Sequence, residues 1–277
     1  MVNDYLSAAI IGVVEGLTEF LPVSSTAHIR ICQDLLQKDL ASDYWKMFAI
    51  VIQLGAILSV LVFFRQRIVG FFRSLESRHL HPVQFARHPV GMVLISFFVT
   101  AIPCYLINET IGENLESLSI MGWALVIGGI VMALVDWSFN SKAVTHRIED
   151  ITLAQAIAIG LAQILAAAFP GTSRSMATIA GGQILGLSRP AALEFSFFLS
   201  IPVMLAATGY KLLSFVTAVR QPLELQAWLT LAIGFAVSFI VALVVIAWFM
   251  RWVRLRGFFA FAVYRMVVGA AVLTCLV

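Results

Sequence analysis

Two carboxylates four residues apart, a run of hydroxyls and a histidine stand inside an otherwise apolar stretch, residues 12–28, GVVEGLTEFLPVSSTAH. At i,i+4 spacing Glu15 and Glu19 share one helix face. Like charges so placed repel even in water, and in hydrocarbon each costs about 2.5–3.5 kcal/mol on insertion scales. Something must neutralise them: a proton, an arginine or a metal ion. A hard divalent cation held by one or two carboxylates and by substrate phosphate oxygens is one such arrangement. It makes Glu15 and Glu19 candidate metal ligands as well as candidate catalytic groups. Ser24, Ser25 and Thr26 follow Pro22, and His28 comes two residues later. His28 has the chemistry of a nucleophile, of a general base for Ser25 or water, or of an acid for a leaving group.

A second polar insertion lies in the apolar residues 160–176, GLAQILAAAFPGTSRSM. A shift of 148 sets Gly12 on Gly160, Glu15 on Gln163, Pro22 on Pro170, Ser25 on Ser173 and Thr26 on Arg174. In each copy a Pro or Pro-Gly break precedes Ser and Thr residues, which is a helix-start signal. Each segment therefore predicts a second half-helix whose N-terminus points toward the membrane interior. Free N–H groups and the positive end of the helix dipole suit an anion there. Two facing ends would form a phosphate cradle, with Ser24, Thr26, Ser173, Arg174 and Ser175 as its substrate-binding groups. Arg174 offers the planar fork that matches phosphate oxygens; it is equally placed to be a counter-ion for Glu15 or Glu19. Gln163 and Ala167 occupy the carboxylate positions of the second copy, so only the first can hold a metal.

The elements that must carry these groups are membrane helices. The 277 residues are 61% hydrophobic and 12% charged, with mean hydropathy +0.96, whereas a soluble domain carries about 25% charged residues. The net charge of +3 reflects loop arginines and does not describe a nucleic-acid surface. Runs long enough to span fall near 47–64, 90–107, 120–138, 190–210, 226–250 and 258–277, while runs near 5–36 and 152–187 are broken by Pro22 and by Pro170–Gly171. The N-terminus has neither a basic n-region nor a cleavage site and reads as mature sequence. Cys32, Cys104 and Cys275 are scattered singly, without metal or disulfide spacing; they read as small buried residues.

Loop charges orient the chain. Arg65, Arg67, Arg73, Arg78 and Arg87 place residues 65–89 inside. Glu109, Glu113 and Glu116 place 108–119 outside. Lys142 and Arg147 fall inside by alternation, as do Arg251, Arg254 and Arg256. Six spans satisfy this pattern only if the two broken segments enter and leave on one face, as re-entrant helical hairpins. The expected fold is an all-α polytopic membrane protein with six spanning helices and two re-entrant hairpins. It is one integral domain, 1–277, built as an inverted-topology repeat of about 1–140 and 141–277 with both termini outside; such repeats place sites near the midplane. The alternative is eight full spans with two kinked helices. Arg189, Glu194 and Arg265 read as structural ion pairs, Glu194 with Arg189 or Arg174. Lys211 reads as a loop charge, and Gln53 as an interhelical hydrogen bond.

EGLTEFLPVSSTAH and PGTSRSMATIAGG are similar to the two signature motifs of the bacterial undecaprenyl-pyrophosphate phosphatase family, also called the bacitracin-resistance protein family. VIQLGAILSV, LEFSFFLSIP and FAVYRMVVGAA extend the resemblance over nearly the whole chain. The chain departs from the family at Ala27 and Met176, where glycine is usual; Met176 adds bulk beside Arg174. The resemblance implies a multi-pass enzyme of the bacterial plasma (inner) membrane, its site opening to the periplasmic side. Such an enzyme removes the terminal phosphate of an isoprenyl pyrophosphate, recycles the lipid carrier for cell-wall synthesis and confers bacitracin resistance. It also implies Mg2+ or Ca2+ as cofactor. Glu15 and Glu19 resemble the acidic metal and catalytic pair, Ser25 and His28 the nucleophile or base, and Arg174 with Ser173 and Ser175 the phosphate-binding loop. The implied partners are the isoprenyl pyrophosphate lipid and membrane lipids, with a homodimer left open and nucleic acid not expected. Whether Ser25, His28 or water attacks stays open. The rival reading is a lipid-phosphate flippase using the same pocket.

Overall fold

In hydrocarbon a backbone must satisfy its polar groups within its own segment, and these apolar runs do so as helices. The computed structural model describes residues 3–39, 42–76, 81–106, 117–218 and 224–276, and no strand occurs among them. Helix α1 (Asp4–Thr18) opens where the Asn3 side chain accepts the Tyr5 N–H at 2.9 Å. It is followed by α2 (Ser25–Leu35), α3 (Asp43–Phe63), α4 (Arg65–Glu76), α5 (Pro82–Ala86), α6 (Pro89–Leu106) and α7 (Leu118–Phe139). After two 3-10 turns comes α8 (Leu153–Ala168), opened by a Thr152–Gln155 capping box. Helices α9 (Arg174–Ile184), α10 (Arg189–Ala218), α11 (Leu225–Arg256) and α12 (Phe259–Cys275) complete the chain.

Among the described residues five helices are long and apolar enough to cross a bilayer: Asp43–Phe63, Pro89–Leu106, Leu118–Lys142, Arg189–Ser214 and Leu225–Arg256. The chain is thus a multi-pass membrane protein. The sixth expected span, 258–277, is the 17-residue α12, about 25 Å long at 1.5 Å per residue. Helices α1, α2, α8 and α9, of 15, 11, 16 and 11 residues, measure roughly 16–24 Å. Each is shorter than the ~30 Å hydrocarbon core. The expected outer acidic segment with Glu109, Glu113 and Glu116 lies outside the described residues.

Small residues let the helices approach closely, as membrane packing favours. A Cβ on Gly12 would meet the Gly234 carbonyl at 2.7 Å, and one on Gly16 the Ser238 carbonyl at 2.8 Å, so α1 lies tightly on α11. On the other side α8 lies on α6: a Cβ on Gly160 would meet the Ser96 carbonyl at 2.6 Å. Hydroxyls stitch the same seam, Ser96 donating to the Ala156 carbonyl at 2.6 Å and Thr100 to that of Gly160 at 2.7 Å. Gly122, Gly129 and Gly269 do the same for α7 and α12.

The ion pairs differ from those expected. Glu194 pairs with Arg67 of α4 at 2.8 Å, and Arg67 also holds Glu149 at 2.9 Å. Arg189 instead forks onto Asp136 at 2.6 and 2.8 Å, and Asp136 accepts the Phe258 N–H at 3.1 Å. This ties α7, α10 and the α11–α12 turn together, and Gly257 (φ +67°) makes that turn. Arg265 has no carboxylate partner among the described residues. Lys211 belongs to helix α10, which runs beyond the apolar stretch that marked its end in sequence. The cysteines are free as expected, but Cys32 and Cys104 are only half-buried and Cys275 is exposed.

Candidate active site

Helix α1 ends at Glu19, whose N–H still donates to the Glu15 carbonyl at 2.9 Å. Both carboxylates therefore point from the last turn of α1 toward the break. The chain reverses through Phe20–Val23 and restarts at Ser24, which has φ +73°; the second break restarts at Ser173, with φ +71°. A non-glycine residue held in this region costs of order 1–3 kcal/mol, and such strain clusters at functional sites. The two caps are the same device 149 residues apart, so Ser24 corresponds to Ser173 and Ser25 to Arg174, one residue off the pairing of Ser25 with Ser173. They are satisfied differently. Ser173 Oγ accepts the Met176 N–H at 3.3 Å, whereas the Ser24 side chain caps nothing and leaves the first N–H groups of α2 open.

Ser25, the first residue of α2, donates its hydroxyl to Glu19 Oε2 at 2.6 Å. Arg174, the first residue of α9, donates from Nη2 to Glu19 Oε1 at 3.3 Å and from Nη1 to the Ser196 carbonyl at 3.3 Å. One carboxylate thus receives a serine proton on one oxygen and a guanidinium on the other. A nucleophile hydrogen-bonded to a base that a third group orients is the logic of an activated serine. Here the group within hydrogen-bond reach of Ser25 is Glu19, not His28.

His28 is turned elsewhere. Its Nδ1 lies 2.7 Å from the Ser24 carbonyl and its Nε2 2.8 Å from the Tyr264 hydroxyl, with the rings stacked at 5.6 Å. A carbonyl only accepts, so the partners assign the proton to Nδ1, and Tyr264 donates to Nε2. Ser175 donates to the Leu21 carbonyl at 3.0 Å and lies 3.0 Å from Ser173 Oγ, bridging the two breaks. Met176 is buried, and its side chain reaches Gly128 beside Arg265.

These groups border a cavity of about 550 Å³. Glu19, Ser24, Ser25, Thr26, Ser173 and Arg174 line it, with Gln53, Thr100, Gln163 and Lys211; Glu15, His28 and Ser175 do not. Its other wall is apolar, including Phe97, Ala101, Val203, Met204 and Ala207, with Tyr105 and Tyr210 alongside. Gln53 and Lys211 are the lining groups that sequence reasoning assigned elsewhere. A polar side chain in an apolar run is the signal that could have found Gln53; Lys211 gave none. A second recess of about 700 Å³ near Arg87 and His88 is lined by Glu149 but by none of the candidate site residues.

Glu15 is fully buried, and neither of its carboxylate oxygens accepts a hydrogen bond from a donor among the described residues. Glu19 and Arg174 are the charged groups that act on it. Two carboxylates and a hydroxyl form a hard-oxygen donor set. Among the described residues no third His, Cys, Asp or Glu joins them, so an ion here would complete its shell with phosphate oxygens and water, as Mg2+ commonly does. On that ground the residues fit a hard divalent cation.

Apolar helices packed around a serine–carboxylate–arginine cluster, beside a cavity with one polar and one apolar wall, define a polytopic membrane protein with a polar site among its helices. The chain belongs to the bacitracin resistance protein BacA family, whose model matches residues 8–271. It is 56% identical to an undecaprenyl-diphosphatase of Koribacter versatilis, over 98% of each chain. It is 39% identical to one of Caldanaerobacter subterraneus, covering 97% of this chain and 94% of that protein, and 39% identical to one of Deinococcus radiodurans, covering 98% and 94%.

Proposed function

We propose that this chain hydrolyses undecaprenyl diphosphate to undecaprenyl phosphate and inorganic phosphate in the bacterial inner membrane, recycling the lipid carrier for cell-wall synthesis and conferring bacitracin resistance. The observation that carries the reading is the 2.6 Å hydrogen bond from Ser25 to Glu19, with Arg174 on the same carboxylate. In the proposed reaction Glu19 takes the hydroxyl proton as Ser25 Oγ attacks the terminal phosphorus. The phosphoanhydride bond breaks and undecaprenyl phosphate leaves. Water then cleaves the phosphoserine, restoring the hydroxyl and releasing phosphate. Arg174 shifts from Glu19 to the phosphoryl oxygens, and the open N–H groups of α2 add fixed positive dipole ends. A divalent cation held by Glu15 and Glu19 would neutralise phosphate charge when bound.

The apolar wall of Phe97, Val203 and Met204 suits the first isoprene units, and the rest of the tail belongs among the helices and lipid. We read α1–α2 and α8–α9 as re-entrant hairpins, since each is a pair of short helices joined at a serine break and the two breaks meet where Ser175 donates to the Leu21 carbonyl. The matched serine caps support an inverted repeat of about 1–140 and 141–277, with α12 as the sixth span, both termini outside and the cavity opening on that outer side. A lipid-phosphate flippase would use the same cavity but needs no serine aimed at a carboxylate, which favours the enzyme.

The test is phosphate release from an isoprenyl pyrophosphate by purified protein in detergent, with Mg2+ or Ca2+ and with EDTA. Release should require metal. Glu19→Gln should lose about 10²–10⁴-fold, the range for a general base, and Arg174→Ala about 10²–10³-fold. Ser25→Ala should abolish turnover; retained turnover there would make water the nucleophile. No release from folded protein with metal present would move the weight to the transporter.

A further inference from the structure

Arg265, in α12, is the largest side chain with no exposed surface. A guanidinium in a membrane helix is costly, and a buried charge normally has a charged partner. Arg265 has none among the described residues. Its Nη donors go to three backbone carbonyls, Nη1 to Pro22 at 2.9 Å, and Nη2 to Ala124 at 3.0 Å and to Gly171 at 3.2 Å, while the buried Nε has no partner among the described residues. Pro22 and Gly171 belong to the two breaks, and each stands two residues before its positive-φ serine. Ala124 belongs to α7. Space for the head group comes from Gly128, where a Cβ would lie 2.2 Å from Nη2 and 3.0 Å from Cζ.

Packing alone calls for no charge here, because an apolar side chain fills a buried site at less cost than a cation. What the guanidinium supplies is a rigid planar fork with donors in several directions. We propose that Arg265 is a positioning residue of the active site: it clamps the Pro22 and Gly171 carbonyls to each other and to α7. That fixes the starts of α2 and α9, and with them Ser25 against Arg174. The inference rests on the phosphatase reading, and its test separates the two.

Arg265→Lys keeps the charge and replaces the fork with a point donor. Its kcat for phosphate release should fall about 30- to 100-fold, since misplacing reacting groups by 1 Å costs about 10²-fold, while KM stays within about threefold. Guanidinium in solution should restore turnover to Arg265→Ala, and methylammonium should not. Gly128→Ala leaves the arginine in the chain but takes its space; it should show the same loss in kcat in milder form, so the question stands even if Arg265→Lys does not fold. A kcat within about twofold of wild type in Arg265→Lys would overturn the clamp in favour of charge alone. So would a loss confined to KM, or one that matches the unfolded fraction of the sample. A wild-type protein that releases no phosphate would sink the phosphatase reading instead. The clamp is then judged by the rise in melting temperature with inorganic pyrophosphate. That rise is expected in wild type and lost in Arg265→Lys and Gly128→Ala; no rise in wild type, or an equal rise in all three, overturns it.

Discussion

His28 holds the Ser24 carbonyl through Nδ1–H, and its other nitrogen is occupied by Tyr264. Those contacts hold the strained cap from which α2 starts, one residue before Ser25, and predict that His28 acts by positioning. Asparagine places an amide N–H near the position of Nδ1 and alanine places nothing. His28→Asn should accordingly retain at least about tenfold more kcat than His28→Ala, while Tyr264→Phe changes kcat less than either. Equal and complete loss in both His28 variants, with the acid limb of the pH–rate profile abolished, would make His28 the general base. Sequence spacing offered His28 as a base for Ser25; the rotation of the break instead sets the Ser25 hydroxyl on Glu19.

At the scale of elements, the two hairpins solve one problem with different residues. Helix α8 is one residue longer than α1, and the turn that follows it is one shorter. Matching the prolines by letter gives a shift of 148, whereas the caps lie 149 apart, so Pro22 corresponds to Gly171. The breaks themselves were legible, because Pro and Gly before Ser and Thr is a local signal. The register was not, since it depends on where each helix lets go. The caps give a prediction. Ser24 carries positive φ without a side-chain cap bond, so Ser24→Gly should relieve strain and stabilise the protein by about 1 kcal/mol. Ser173→Ala keeps the strain and loses the bond from Met176 N–H, which should cost about 1 kcal/mol. Denaturant unfolding in detergent, followed by tryptophan fluorescence, reads both; changes of the same sign would show that the caps are not distinct.

Across the whole molecule, five of the six expected spans were legible from apolar length, but the partners of the charges were not. Arg67 meets Glu194 from 127 positions away, and Arg265 reaches carbonyls that carry no sequence signature. Orientation is where the remaining alternatives part. With six crossings and two re-entrant hairpins, Glu224 lies outside, and Arg251, Arg254 and Arg256 lie inside with the other arginine-rich loop, as the positive-inside rule favours. With eight crossings each of these places is reversed, and three arginines within six residues end up outside. Single cysteines at Glu224 and at Arg256, in a chain with Cys32, Cys104 and Cys275 replaced by serine, separate the two arrangements. An impermeant maleimide on intact cells should label Glu224→Cys directly and Arg256→Cys only after permeabilisation. The converse pattern would require both broken segments to cross. Their half-helices, each roughly 16–24 Å long, would then have to carry the bend at Ser24 and Ser173 through the bilayer, and the two helix starts would no longer be held within one leaflet-to-leaflet cavity by a fold of opposite-facing hairpins.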